Sequence, residues 1–359
     1  MTTKELQSRH FREILAKESL GMRKTFTALS LFSGAGGMDI GVMQAGFEIL
    51  ACIEIDPYAC ETLRANIVRD KRTTKVIEKD IREVDPSLLI VELGLQAGEL
   101  DLLYGGPPCQ TFSQIGKRHS INDERGLLLF EMVRFAEVFR PKAILIEQVK
   151  GLLNAQDQQN KPGGVFKQLV AQLETLGYCS KWKLLNAADY GVPQLRQRLF
   201  IVSTMPPNHF QFPTPTHGPV TKATPLFALA PYVTVGEALQ GLGTPCEKQN
   251  GCIPEDSHLD VTPQGDRRWI YGVPEGSHLA KQTHLPPEQR RNLSRKDTTK
   301  FKRLSRSEPS NTLRCGEIFF FIQQKIVISH HESTCDYTAT LTITCYVVRS
   351  VVVLVEFDF

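Results

Sequence analysis

From Thr25 onward, short runs of apolar residues alternate with segments whose apolar positions recur every three to four residues. Short apolar runs bounded by turn signals read as buried strands, and the 3.6-residue period reads as helices packed across them. The strands expected are 26–32 (FTALSLF), 48–55 (EILACIEI), 76–81 (VIEKDI), 101–105 (DLLYG), 143–149 (AILIEQV), 180–186 (SKWKLLN) and 198–204 (RLFIVST). Helices fit between them at 37–45, 57–66, 126–139 and 164–176. Pro57 falls at the first position of one helix and Gly177 just past the last periodic residue of another, where these residues favour helix ends. The alternation predicts an α/β fold on a doubly wound, mostly parallel sheet.

After residue 204 the pattern changes. Prolines and glycines crowd 206–219 (PPNHFQFPTPTHGP), which reads as a connector, and 245–310 has little periodicity and many turn residues. Within that stretch Arg290, Arg291, Arg295, Lys296, Lys300, Lys302, Arg303 and Arg306 are opposed only by Asp297 and Glu308, a local basic patch suited to nucleic acid. From Cys315 the chain is rich in Ile, Val, Thr, Phe and Cys, a composition that favours strands. Ahead of the fold, Leu6, Phe11, Ile14 and Leu15 form a loose helical pattern, and Met22 is an alternative start. The organisation expected is an N-terminal extension (1–24), an α/β domain (25–205), a connector with a smaller irregular region (206–314) and a tail (315–359).

Composition adds limits. With 359 residues the chain has room for one large α/β domain and a smaller one, and 41% apolar with 23% charged residues is ordinary for a soluble protein. A net charge of +3 does not by itself announce a nucleic-acid binder, so the local cluster has to carry that argument. Nine cysteines without a CxxC pair suggest reduced thiols in the cytoplasm, and Cys246, Cys252 and His258 match no standard zinc spacing, so no metal is expected. Residues 1–21 lack the apolar core of a signal peptide, and the apolar run Cys345–Val355 is short and broken by Arg349, so no membrane span is expected.

The first strand runs into Ser33-Gly34-Ala35-Gly36-Gly37, where glycines let a ligand approach the backbone at the carboxyl end of a strand. The second strand ends at Glu54-Ile55-Asp56, where a carboxylate is placed to bind ribose hydroxyls. The third ends at Asp80-Ile81, suited to an adenine amino group. Gly34-x-Gly36 without a third glycine three residues later is not the dinucleotide fingerprint, so an adenosyl ligand fits better than NAD.

The fourth strand ends in Gly105-Gly106-Pro107-Pro108-Cys109-Gln110-Thr111-Phe112-Ser113. Two prolines fix φ ahead of a thiol, a rigid mount for a nucleophile. One strand later, Glu147-Gln148-Val149 brings a carboxylate to the same edge as an acid–base partner. Gln194-Leu195-Arg196-Gln197-Arg198 then presents alternating long polar side chains, two of them guanidiniums able to lock Glu147 or bind a base or phosphate.

LFSGAGG, Glu54, Asp80, GGPPCQTFS, EQV and QLRQR follow one another in the order of the motifs of DNA cytosine-C5 methyltransferases of the bacterial type, which residues 25–205 resemble. The segment FKRLSRSEPSNTLR from Phe301 resembles that family's target-recognition region, with its Thr-Leu pair at Thr312-Leu313. The resemblance implies a Rossmann-like methyltransferase fold and S-adenosyl-L-methionine as methyl donor. It implies that a cytosine is flipped out of double-stranded DNA, that the Cys109 thiolate adds to C6, and that Glu147, with Arg196 and Arg198, completes the catalytic group. Phe32, Gly34, Gly36, Glu54, Ile55, Asp80, Ile81 and Pro107 would line the donor pocket. Pro108, Gln110, Ser113, Gln194, Thr312 and Leu313 would meet the DNA. A cognate restriction endonuclease and action as a monomer are further implications.

Two departures qualify the resemblance. Where the family usually has Asn after the catalytic Glu, this chain has Gln148, which keeps the amide and adds a methylene. Beyond Arg314 neither the family's bracing helix nor its Gly-Asn-Ala-Val-Pro-like motif is present in Cys315–Phe359, so a donor pocket lacking one wall is expected. The alternative that follows is a silent remnant binding DNA through its basic segment. An RNA methyltransferase of the same fold ranks last, because the recognition region is long and basic.

Overall fold

The computed structural model describes residues 25–108, 128–207, 210–219, 229–240, 246–247, 259–260, 269, 272–278, 283–290, 303–312, 319–322 and 325–328. Its centre is a seven-stranded sheet. In chain order the elements are β1 (Phe26–Leu31), α1 (Gly37–Gln44), β2 (Phe47–Glu54), α2 (Pro57–Arg69), β3 (Lys75–Glu78), α3 (Pro86–Glu92), β4 (Leu102–Gly105), α4 (Glu131–Phe139), β5 (Ala143–Gln148), α5 (Gly164–Thr175), β6 (Cys179–Asn186), the short β7 (Gln194–Leu195) and β8 (Gln197–Thr204).

The sheet order is β3-β2-β1-β4-β5-β8-β6. Strands β1 to β5 pair in parallel, whereas β8 lies antiparallel between β5 and β6. The order reverses between β1 and β4, and the crevice beyond their carboxyl ends is where open α/β sheets bind ligands. The antiparallel insertion has its own consequence. The start of β8 lies beside the end of β5, with Leu199 opposite Gln148.

Both sheet faces are covered, which is why the strands read as continuous apolar runs. Leu29, Leu31, Ile53, Leu103, Ile144, Ile146 and Ile201 pack against α3, α4 and α5 on one face. Ala28, Ile49, Tyr104, Leu145 and Val202 pack on the other, against Val42 of α1 and Leu63 of α2. Helix α4 is anchored by Met132, Phe135, Ala136 and Phe139, all fully buried at helical spacing. Each of its three large side chains contributes about 2 kcal/mol by burial.

Sequence expectation and structure differ in four places. The third strand ends at Glu78 and not at Ile81, because the Asp80 carboxylate caps a 3-10 turn, Ile81–Glu83, by accepting from Arg82 N–H. Helix α3 was missed, although Asp85 caps it and Pro86 opens it, both ordinary start signals. The expected helix 126–139 is α-helical from Glu131, with a 3-10 turn at Leu128–Phe130 before it; residues 126 and 127 lie outside the described residues. The strand expected to carry Gln194–Arg198 is broken at Arg196 into β7 and β8.

Past the sheet, the connector pairs His217–Gly218 in parallel with Ala230–Pro231. Helix α6 (Val235–Ala238) opens with a capping box between Thr234 and Glu237. Ser310–Asn311 returns to pair in parallel with β7, and Phe319–Ile322 pairs antiparallel with Lys325–Ile328. Among the described residues no helix is long and apolar enough to cross a membrane.

Candidate active site

The turn after β1 is shaped by three residues with positive φ: Phe32 (55°), Gly34 (53°) and Gly36 (87°). A Cβ on Gly34 would meet nothing within 4 Å, so open space lies over this turn. At Gly36 a Cβ would lie 2.9 Å from Leu63 Cδ2, so α2 packs tightly behind it.

Glu54, at the end of β2, reaches back across the turn. Its Oε2 accepts from Gly34 N–H at 2.7 Å, and its Oε1 accepts from Ile55 and Asp56 N–H at 2.9 Å each. Ile55 beside it is 61% exposed, a bare apolar side chain next to a carboxylate and an open turn. Asp80 accepts from Arg82 Nε at 3.1 Å and from its terminal nitrogen at 2.6 Å. Those hydrogen bonds hold the Asp80 carboxyl below the usual range. Ile81 is turned into the core, and its carbonyl accepts from Arg134 at 2.7 Å.

A buried polar cluster, unforeseen from the sequence, lies beneath the turn. Asp39 of α1 is 2% exposed, and its Oδ1 accepts from Ser30 Oγ and from Tyr104 OH at 2.7 Å each. Its Oδ2 accepts from Cys52 Sγ at 3.3 Å, and Ser33 Oγ continues the chain to Ser30 Oγ at 2.9 Å. Burial pushes the Asp39 carboxyl up, against the pull of its donors. An acid in the first turn of an apolar helix was the only sequence signal.

Across the crevice, β4 delivers Gly105 and Gly106. A Cβ on Gly105 would lie 2.4 Å from the Leu31 carbonyl oxygen, so only glycine lets β4 sit this close to β1 here. Gly106 faces Glu147, whose Oε2 would lie 3.3 Å from a Cβ there. Arg198 Nε sits 2.7 Å from Glu147 Oε1, and both side chains are about one-fifth exposed, at 20% and 22%. Gln148, 1% exposed, donates from Nε2 to the Pro107 carbonyl at 2.8 Å. Its amide thus ties the end of β5 to the proline turn, with Pro107 buried and Pro108 exposed.

Cys109, Gln110, Ser113 and Leu313 lie outside the described residues. Of the expected arginines, Arg198 meets Glu147, and Arg196 is half-buried in the break before β8. Gln194 is buried at 3%, while Leu195 is 42% exposed, so the polar face of QLRQR points inward. Thr312 Oγ1 donates to the Leu195 carbonyl at 3.0 Å, which brings the segment around Thr312 against β7.

The basic patch needs correction where it is described. Arg303 is 4% exposed and bonds the Val273 carbonyl, with Glu275 3.9 Å away. Arg306 lies 3.5 Å from Glu275. Arg303 therefore braces the region internally, a pairing invisible in sequence because Val273 and Glu275 belong to a distant segment, whereas the Arg306 side chain stays at the surface, 45% exposed. Among the described residues no group of His, Cys, Asp and Glu could hold a metal, and Cys52 and Cys60 are buried thiols outside any disulfide.

A glycine turn with carboxylates on one side of the switch point, and an acid, arginine and proline turn on the other, define an α/β methyltransferase. Residues 26–240 match the family description C-5 cytosine-specific DNA methylase. Type II methyltransferase M.AquIA of Picosynechococcus is 41% identical over 222 residues, covering 60% of this chain and 88% of that protein. Type II methyltransferase M.NgoFVII of Neisseria gonorrhoeae is 32% identical over 287 residues, 79% of this chain and 68% of its own length. A crystal structure of a prophage-encoded E. coli protein, described as a DNA modification methyltransferase, covers 91% of this chain and 97% of its own with a TM-score of 0.59. At 19% identity that likeness speaks to the fold alone. The chain belongs to the C-5 cytosine-specific DNA methylase family, as a DNA (cytosine-5-)-methyltransferase.

Proposed function

We propose that this chain methylates C5 of cytosine within a specific double-stranded DNA sequence, with S-adenosyl-L-methionine as donor and Cys109 as nucleophile. The observation that carries the reading is the Glu147–Arg198 pair at 2.7 Å beside the Gly106-Pro107-Pro108 turn. It puts an oriented carboxylate next to the segment that leads into the cysteine.

The residues around the first turn suit the donor. Open space over Gly34, the exposed Ile55 side chain and the carboxylates of Glu54 and Asp80 offer an apolar face for adenine and acceptors for ribose and amino groups. When bound there, the donor supplies an electrophilic methyl group.

The rest is done by the chain's own groups on a cytosine rotated out of the duplex, since C5 and C6 are unreachable within the stack. The Cys109 thiolate forms a bond to C6. Glu147, oriented by Arg198, interacts at N3, so that the electrons pushed into the ring are stabilised there and reach C5. The π pair of the C5–C6 bond, displaced onto C5, would form the new bond to the donor's methyl carbon, whose bond to the donor sulfur would break with its electron pair left on that sulfur. A base then takes the C5 proton, the C6–S bond breaks and the thiolate is restored. Pro108, Gln110, Ser113, Gln194, Arg196, Thr312 and Leu313 are assigned to holding base and backbone.

Residues 25–205 form the catalytic and donor domain in this reading, and 206–314 the connector and recognition region, with 1–24 an extension and 315–359 a tail. The names of the relatives support a type II modification role; a cognate restriction endonuclease, the cytoplasm and a monomer belong to the same reading as implications of the resemblance. The test is transfer of radiolabelled methyl from S-adenosyl-L-methionine to mixed-sequence duplex DNA, with Cys109→Ala in parallel. Incorporation by the natural chain that vanishes in the variant supports the reading; a folded natural chain that transfers nothing overturns it.

A further inference from the structure

The break before β8 is held by a relay that starts far from the chemistry. Asn186, the last residue of β6, accepts from the Arg196 backbone N–H on its Oδ1 at 3.1 Å. Ala187 N–H donates to the Arg196 carbonyl at 2.9 Å, so both backbone groups of Arg196 are clamped. Asn186 is itself held by Asp189, whose Oδ1 accepts from Asn186 Nδ2 at 3.0 Å. The same oxygen accepts from Tyr232 OH at 2.7 Å. The Asp189 carbonyl accepts from Thr216 N–H at 2.9 Å. Asp189 thus grips the chain at Thr216 and at Tyr232 as well as the turn that aims the arginines.

Tyr232 leads into the Thr234 capping box and α6. The first amides of α6 then hold the recognition segment, Val235 N–H on the Glu308 carbonyl at 2.9 Å and Gly236 N–H on the Arg306 carbonyl at 2.8 Å. Gly236 permits that approach, since a Cβ there would lie 2.8 Å from the Arg306 carbonyl oxygen. At the other end of the relay, Arg198 follows Arg196 by two residues and holds Glu147.

We propose that Asp189 is a positioning residue that couples the seating of the recognition region to the placement of Arg196, Arg198 and, through Arg198, Glu147. The catalytic part of this rests on the reading of Glu147 given under Proposed function. A shift of the recognition region would pull on Tyr232 and reach the acid through one carboxylate and one amide. The arrangement makes the chemical step, and not DNA binding alone, sensitive to how the recognition region is seated. Small misplacements matter at this point, because an error of about 1 Å in a positioned group costs on the order of 100-fold in rate.

The test compares the natural full-length chain with Asp189→Ala, Asp189→Asn and Tyr232→Phe, first by amide hydrogen exchange read by mass spectrometry. Asp189→Ala is expected to speed exchange both in the peptide containing Arg196 and in 229–238. Asp189→Asn keeps the accepting oxygen and is expected to match the natural chain, while Tyr232→Phe loosens 229–238 alone. If Asp189→Ala leaves the Arg196 peptide protected, or if Asp189→Asn fails like Asp189→Ala, the relay is wrong. Should Asp189→Ala unfold, Tyr232→Phe still decides, because loosening both segments or neither contradicts the order proposed. In methyl-transfer kinetics Asp189→Ala should lower kcat roughly 10- to 100-fold, and Tyr232→Phe, which leaves Asn186 held, should raise the KM for DNA and lower kcat by a smaller factor, about 3- to 10-fold. A Tyr232→Phe variant that changes the KM for DNA and leaves kcat at the natural value would overturn the coupling. Exchange requires no turnover, so a natural chain without methyl transfer would count against the proposed function and leave the relay to be judged on its own.

Discussion

Arg198 sets its Nε 2.7 Å from Glu147 Oε1, a contact made by two strands running in opposite directions. In an all-parallel sheet the first residues of a strand lie at the far edge from the site. Only because β8 is inserted antiparallel does its start stand beside the end of β5. The arginine has two uses for its position: it fixes the carboxylate's orientation, and it keeps a cation beside a group that is only about one-fifth exposed.

Arg198→Lys should therefore be a costly exchange. A lysine keeps the charge but not the planar fork that directs the carboxylate. A fall in kcat of roughly 100-fold is expected, with donor affinity unchanged, since the glycine turn lies across the crevice. Steady-state methyl transfer alongside calorimetric titration of the donor checks both halves. Equal kcat in the two proteins would remove Arg198 from the site.

Gln148 gives a second test. Its Nε2 donates to the Pro107 carbonyl at 2.8 Å within the core. Gln148→Leu removes the donor at similar volume and leaves a carbonyl bare, which costs about 1–3 kcal/mol of stability. Gln148→Asn is one methylene short, so the proline turn or β5 must shift to restore the contact. The expected order of kcat is natural chain, then Asn, then Leu, read together with urea midpoints. A Leu variant as stable and as fast as the natural chain would show that the tie has no consequence.

Much of this layout was legible in the sequence, and the exceptions share a cause. The strands and the helices flanking the first turn follow from apolar runs and their spacing, because parallel strands covered on both faces leave a strong one-dimensional signal. The contact between Glu147 and Arg198 was legible too, since both fall at strand ends, whereas among the described residues no such contact with Glu147 is seen for Arg196. What was hidden depends on distant partners. Arg303 reads as part of a basic nucleic-acid patch until its burial against the Val273 carbonyl and Glu275 is seen. Asp39 reads as an ordinary helix acid until Ser30, Cys52 and Tyr104 close around it. The break at Arg196 depends on Asn186, ten positions away and on another strand.

Asp39 predicts a pH effect with a definite sign. Burial raises the folded Asp39 carboxyl above its ordinary range, so the folded state holds this proton more tightly than the unfolded chain does. Its contribution is most favourable below the unfolded carboxylate range and is lost as pH rises through the raised value. Asp39→Asn cannot titrate, yet its oxygen can still accept from Ser30 and Tyr104. The stability of the Asn variant relative to the natural chain should therefore improve as pH is raised from 4 toward 7, measured by urea unfolding at each pH. A difference that stays constant, or moves the other way, contradicts the assignment.

Arg82 supplies the last prediction, which concerns donor binding and acid. Its guanidinium and backbone N–H both bond Asp80, and the side-chain hydrogen bonds are the main reason that carboxyl titrates low. Asp80 is assigned to accept from the donor's adenine amino group, a task for the ionised form. In the natural chain that form persists below the usual carboxylate range. With Arg82→Ala the main lowering influence is gone, so the carboxyl takes up its proton at higher pH. Binding of S-adenosyl-L-methionine, followed by calorimetric titration from pH 7 down to 4, should weaken earlier in the variant than in the natural chain. The ordering matters more than the affinity at neutral pH, where Asp80 is ionised in both proteins and loss of Arg82 mainly frees the side chain to wander. Parallel pH curves for the two proteins would mean that Asp80 does not meet the donor, and the adenine end of the pocket would have to be sought nearer Ile55.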